Sequence, residues 1–314
     1  MSTLAVQLKQ LQIPGLHKDV SKPQHVSILF DKNVAATLDI ESIYNVGVNG
    51  FDQMVTIEPV LVDYQDLLFS QKSLHLQRTM EDKSFNKKLS KAIEEFLFLL
   101  SPYLQLQAAK KCLEWLVWRF EIHNFDRDSL LQCILPYHET QLFGRIIQLV
   151  HESNYGSTWE HLLLKLKGGG VVNTRTIIKH CRENTNLLMF VYGMAEKAVK
   201  LQKKEPKSGL GMIFSFYART ICGVLGESSS DNLSESLLTK VLSMIHYGLA
   251  SKCKDFICAT YIIITMFTSK SPLKKKALTS LIVHVLKVLL GLEIFMLLIV
   301  SSEIYKEFDI LKIS

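Results

Sequence analysis

Between residues 89 and 150, apolar positions recur every three or four residues instead of alternating. This predicts helices buried over most of their circumference. Ile93, Phe96, Leu97 and Leu100 share one face of a helix that starts near Leu89 and is broken by Pro102. The following segment, to about His123, puts Ala109, Leu113, Leu116 and Phe120 on one arc and Ala108, Cys112, Trp115 and Arg119 on a second, leaving Lys110, Glu114 and Glu121 as a narrow polar strip. These two segments are expected to form an antiparallel pair. A second pair is predicted from an N-cap at Asp126 or Asp128 to Pro136, resuming with Leu142, Phe143, Ile146, Ile147 and Val150 on one face. Helices apolar on two sides need neighbours on two sides, as in a stack that holds other macromolecules on an extended surface.

The pattern is softer towards the start. Met1 to Gln12 places Leu4, Leu8 and Leu11 at helical spacing before Pro14-Gly15. Val26 to Phe30 and Ala35 to Asn45 are short apolar stretches, and Gly47-Val-Asn-Gly50 reads as a turn. Glu58-Pro59 breaks the chain again, and Tyr64 to Phe69 leads into a polar segment through Lys88 that is expected to be a surface connection. Beyond a loop at Gly168 to Gly170, helices are predicted over Leu187–Gln202, Gly211–Leu225, Leu233–Leu249, Asp255–Phe267 and Leu273–Leu290. Pairs spaced roughly 30 to 45 residues apart, with few alternating strands, give the fold class: all-α, an irregular HEAT/armadillo-like helical-repeat solenoid (an α-α superhelix). Its expected organisation is an N-terminal helical segment with loops over 1–88, HEAT-like repeats over 89–290 and a divergent apolar tail over 291–314.

Composition narrows the function classes. With 48% hydrophobic and 21% charged residues, the 314-residue chain is expected to be folded over most of its length. Six cysteines without paired spacing and no leader-like opening predict a reduced, intracellular protein, so Asn232-Leu-Ser234 carries no glycosylation meaning. Val288 to Val300 is apolar for about a dozen residues and interrupted by Glu293, short of the roughly 20 that span a bilayer, so a membrane role is not expected. The net charge of +6 is mild.

Candidate chemistry is thin. His123, His138, His151 and His161 lack zincin spacing, Tyr137-His138-Glu139-Thr140 completes no catalytic motif, and Cys253 and Cys258 diverge by about 140° on one helix. Gly209-Leu-Gly211 lacks the Lys-Ser/Thr of a phosphate loop. No catalytic residue, metal, cofactor or small-molecule substrate is therefore assigned. The densest basic sites are Lys203, Lys204 and Lys207, and Lys270, Lys274, Lys275 and Lys276; these are candidate RNA or partner contacts, or solvated loops. Trp118 projects from the polar strip and is expected to pack on the next repeat or to anchor a partner.

KCLEWL (Lys111 to Leu116), Arg119-Phe120-x-Ile122-His123, DSLLQCILPYHET (Asp128 to Thr140) and Phe143-x-Arg145-x-Ile147-Gln148-Leu149 resemble the N-terminal region of the HEAT repeat-containing protein 1 / U3 small nucleolar RNA-associated protein 10 family. STLAVQLKQL near the start, LFDKNVAATLD (Leu29 to Asp39), LFSQ (Leu68 to Gln71), LSPY (Leu100 to Tyr103) and CATYIIIT (Cys258 to Thr265) extend the likeness in order along the chain. The resemblance implies a non-enzymatic nucleolar scaffold of the small-subunit processome, the U3 small nucleolar ribonucleoprotein. Such a scaffold supports pre-rRNA processing to 18S rRNA, ribosome biogenesis and RNA polymerase I transcription of ribosomal DNA. The implied partners are processome subunits, β-propeller proteins among them, with pre-rRNA and U3 small nucleolar RNA bound directly or through the complex. From about Gly291 the chain departs from the family pattern, so a truncated form with an association-prone end is expected. The rival readings are a generic intracellular helical-repeat adaptor and a protein attached to a membrane through residues 277–300.

Overall fold

The structure, a computed structural model, describes residues 27–152, 171–206, 208–227, 235–270 and 275–291. Among them there are helices and loops and no strand, and the architecture is the expected all-α solenoid. The predicted helix at Met1 to Gln12 and the glycine loop at 168–170 lie outside the described residues. The helices are α1 (Lys32–Ala35), α2 (Ile40–Ile57), α3 (Lys83–Leu100), α4 (Gln107–Phe120), α5 (Ile122–Phe125), α6 (Arg127–Ile134), α7 (Gln141–Glu152), α8 (Thr174–Glu183), α9 (Thr185–Lys204), α10 (Gly211–Glu227), α11 (Glu235–Leu249), α12 (Lys254–Lys270) and α13 (Lys275–Gly291).

Starts and stops follow local chemistry. Asp39 accepts from the Ser42 N–H at 2.8 Å to open α2, and those hydrogen bonds hold its carboxyl below the usual range. Asp82 accepts from the Phe85 N–H at 2.6 Å to open α3. Glu58 closes α2 immediately before Pro59, and Pro102 stops α3 in a short 3-10 turn. Asp126 takes the N-cap position of α6 but makes no capping bond, because its carboxylate is drawn to Arg78.

The helices stack in an alternating order. α4 lies along α2, α3 lies along α6, and α8, α10 and α12 form a continuous layer in which each helix packs on the one two places further on. The principal neighbours of α3 and α4 are thus α6 and α2, so the expected antiparallel pair of α3 with α4 is replaced by a layered arrangement. One contiguous apolar core runs through the stack, from Ile43 and Phe51 through Trp115, Phe120 and Phe143 to Phe214, Phe256 and Phe267. α3 runs unbroken across position 88, and α2 shares the core with α4.

The α2–α4 contact corrects the expected turn at Gly47 to Gly50, since both glycines lie inside α2. A Cβ on Gly47 would fall 2.5 Å from the Trp115 Cβ, and one on Gly50 would fall 2.6 Å from both the Ala108 carbonyl oxygen and the Lys111 Cβ. The glycines let two helix backbones approach, and their helix-propensity cost of roughly 1 kcal/mol each is offset by the packing. Above them the Trp115 indole N–H donates to the Leu68 carbonyl at 2.7 Å, and the Tyr44 hydroxyl donates to the Phe69 carbonyl at 2.9 Å. These bonds pin the short turns of residues 59–75 over the core. Gly47→Val is expected to overpack this contact and cost about 2 kcal/mol, read as a lower urea midpoint; an unchanged midpoint would show that the helices separate freely.

Two polar groups expected at the surface are buried. Glu114, placed by periodicity on the polar strip, has no exposed surface, and Arg78, in the polar connection, is also buried. α4 ends where Glu121 takes a left-handed backbone conformation (φ 46°), turning the chain into α5. Among the described residues, no helix is long and apolar enough to cross a membrane.

Candidate nucleic-acid interface

Tyr137-His138-Glu139-Thr140 is a joint of the helical stack. His138 is buried, its Nδ1 lies 2.6 Å from the Val172 carbonyl, and its own carbonyl accepts from the Val172 N–H at 2.9 Å. Burial holds its imidazole below the usual histidine range, favouring the neutral ring. Glu139 accepts from the Thr174 N–H at 3.2 Å and hydroxyl at 3.0 Å, which lowers its carboxyl and helps to start α8. The Tyr137 hydroxyl donates to the Ser101 carbonyl. Tyr137 to Thr140 thereby fastens residues 172–174 to the body.

Four of the cysteines are held away from activation. Burial pushes the Cys133 and Cys181 thiols up to about 12 and Cys222 up to about 11, and raises Cys112 as well, the reverse of a poised nucleophile. Among the described residues, no group of three or more His, Cys, Asp or Glu side chains could hold a metal ion.

The basic residues give the surface its character. Lys203 and Lys204 end α9, where Lys203 is exposed and the Lys204 amine lies 2.6 Å from Glu95 on α3. Two helical turns before Lys204 on α9, Lys197 pairs with Glu94 of α3 at 2.8 Å. Lys207 and Lys274 lie outside the described residues, while Lys275 and Lys276 fall in the first turn of α13. Lys270 is half-buried at the end of α12.

These two clusters are not brought together. Gln202 of α9 donates to Asp255 at the start of α12, and Lys270 sits at the far end of that helix, about 22 Å further along its axis. The structure instead sets Lys203 and Lys204 beside a basic helix that the sequence reading assigned in part to a surface connection. Lys83, Lys87, Lys88 and Lys91 of α3 are all exposed. Their four-residue spacing was the available signal, obscured because the polar positions of this turn outnumber the apolar ones.

Trp118 is half-buried against the core, and its indole is a hydrogen-bonding neighbour of the buried Glu114 carboxylate. Its position serves packing within the array.

Comparison with known proteins places this surface in context. A family model described as U3 small nucleolar RNA-associated protein 10 matches residues 237–300, reaching past Gly291. The chain is 35% identical over 292 residues to the human HEAT repeat-containing protein 1, covering 92% of this chain and 14% of that protein. It is 37% identical over 290 residues to the Danio rerio protein of the same name, covering 90% of this chain and 13% of that protein. The U3 small nucleolar RNA-associated protein 10 of Aspergillus oryzae is 28% identical over 295 residues, covering 89% of this chain and 16% of the relative. The chain thus spans about one seventh of the length of these relatives.

Proposed function

Because this chain belongs to the HEAT repeat-containing protein 1 / U3 small nucleolar RNA-associated protein 10 family over nine-tenths of its length, we propose that it is a non-enzymatic scaffold segment of the small-subunit processome. The carrying observation is the match to these relatives along nine-tenths of the chain, one of them named U3 small nucleolar RNA-associated protein 10. The fold supports the reading: a continuous helical stack around one apolar core offers surfaces for assembly. Acting in the nucleolus, the segment contributes to pre-rRNA processing towards 18S rRNA and to RNA polymerase I transcription of ribosomal DNA. Its surfaces meet processome subunits, β-propeller proteins among them, and pre-rRNA or U3 small nucleolar RNA. Lys203, Lys204 and the lysines at the start of α13 are the proposed contacts.

The test is affinity purification of the tagged full chain from cells, with mass spectrometry of bound proteins and sequencing of crosslinked RNA. Processome subunits recovered together with pre-rRNA are the expected result. A folded chain that recovers neither, beside a full-length relative that recovers both, would overturn the assignment.

A further inference from the structure

We propose that the lysine ridge formed by α3 and the C-terminal half of α9 is a phosphodiester-backbone contact that binds RNA without reading its sequence. The proposal rests on the processome reading and adds to it the face and the mode of recognition.

Lys83, Lys87 and Lys91 recur every fourth residue, so they lie along one stripe of α3 at about 6 Å intervals, with Lys88 beside it. All four are exposed. Like charges at this spacing repel, and the carboxylates that could relieve them on the same helix are already taken. Glu94 accepts from Lys197 at 2.8 Å and Glu95 from Lys204 at 2.6 Å, both on α9. Asp82 is committed to capping α3. The two ion pairs draw α9 against α3, and they bring with it the exposed Lys200 and Lys203. The result is a run of exposed amines that make no ion pair among the described residues, crossing two helices, with Glu81 and Asp82, whose carboxylate acts on Lys88, confined to its N-terminal edge.

The partner follows from what the ridge lacks as much as from what it has. Lysine is a compact point charge that meets phosphate oxygens, whereas base readout needs stacking platforms or planar forks. The aromatics of α3, Phe85, Phe96 and Phe98, turn to the core and stack no base. The geometry therefore fits a backbone of regularly spaced anions and gives no preference among sequences.

The test uses the full chain and fluorescence anisotropy with a labelled single-stranded RNA 20-mer, an RNA duplex of equal length and polyglutamate, each across a salt series. Wild type is expected to bind RNA with strong salt dependence and polyglutamate far more weakly. Lys87→Gln/Lys88→Gln/Lys91→Gln is expected to bind RNA about tenfold or more weakly near physiological salt, with the log–log salt slope shallower by about 2. Lys179→Gln/Lys240→Gln, on α8 and α11 and away from the ridge, is expected to keep wild-type binding. Circular dichroism confirms that each variant is folded. Wild-type affinity and slope in the triple variant would overturn the ridge, as would equal affinity for polyglutamate, which would mark an acidic protein surface as the ligand. The two readings fail separately: a triple variant that binds RNA normally and still co-purifies with the processome refutes the ridge alone. RNA binding lost in that variant, in a chain that never recovers processome subunits, refutes the assembly reading alone.

Discussion

Asp126→Ala is expected to destabilise the chain by about 3–5 kcal/mol, because it removes one partner of a buried ion pair and strands the other. The side chains of Arg78 and Asp126 retain only 4% and 5% of their exposure, and an arginine cannot shed its charge to escape burial. Arg78 also donates to the Phe120 carbonyl at 3.2 Å at the end of α4, donates to the Ser90 hydroxyl, and lies over the Phe125 ring at 4.7 Å. One guanidinium thus closes the junction where α4 ends, α5 passes and α6 begins. Thermal denaturation should show a midpoint lowered on the order of 10 °C, with hydrogen exchange accelerated first at residues 120–130. Asp126→Asn, which keeps the shape and one acceptor, should lose less, and Arg78→Met combined with Asp126→Leu should lose less than the single losses added together. A midpoint for Asp126→Ala within 2 °C of wild type, about the shift expected for 1 kcal/mol or less, would show that water reaches the guanidinium and that the junction is held by packing alone.

The same junction shows why some of the fold was legible in the sequence and some was not. Helices that rely on a 3.6-residue apolar period and a Pro or Gly stop were read closely: Leu187–Gln202 is Thr185–Lys204, Gly211–Leu225 is Gly211–Glu227, and Asp255–Phe267 is Lys254–Lys270. α8 was missed because TRTIIKHCRE buries only Ile177, Ile178, His180 and Cys181, too few apolar positions to stand out in a polar segment. Gly47 and Gly50 were read as punctuation because a sequence cannot distinguish a glycine needed for a turn from one needed for close helix packing. Arg78 and Glu114 share a different cause. Whether a charged residue is buried depends on what lies 48 or 86 residues away, and no local period records that.

Glu114→Ala is the second large loss expected, on the order of 3 kcal/mol, and it acts through a segment remote in sequence. The Glu114 carboxylate accepts from the Ile28 N–H at 2.7 Å and the Leu29 N–H at 3.0 Å, with Ser27 and Trp118 as further hydrogen-bonding neighbours. Ile28 is buried in the core, and Arg145 of α7 holds the Phe30 carbonyl from the other side at 3.1 Å. Residues 27–30 are thus a strap fastened by one acid and one base, and alanine at 114 leaves one buried and one half-buried donor without that acceptor. Glutamine should behave differently, because it keeps an acceptor oxygen for the strap and removes a charge held out of water. Burial is the largest influence on this carboxyl and raises its pKa above the ordinary glutamate value despite the bonds that favour the anion. With the folded pKa above the unfolded one, the stability contributed by the acid is complete below the unfolded value and is lost as pH rises through the folded value. Melting curves from pH 4.5 to 8 should therefore show wild type losing ground to Glu114→Gln as pH rises, with the two closest at the acid end. Curves that stay parallel across that range would mean that the carboxylate is as well solvated by its donors as by water. The strap would then rest on the Arg145 contact and the burial of Ile28.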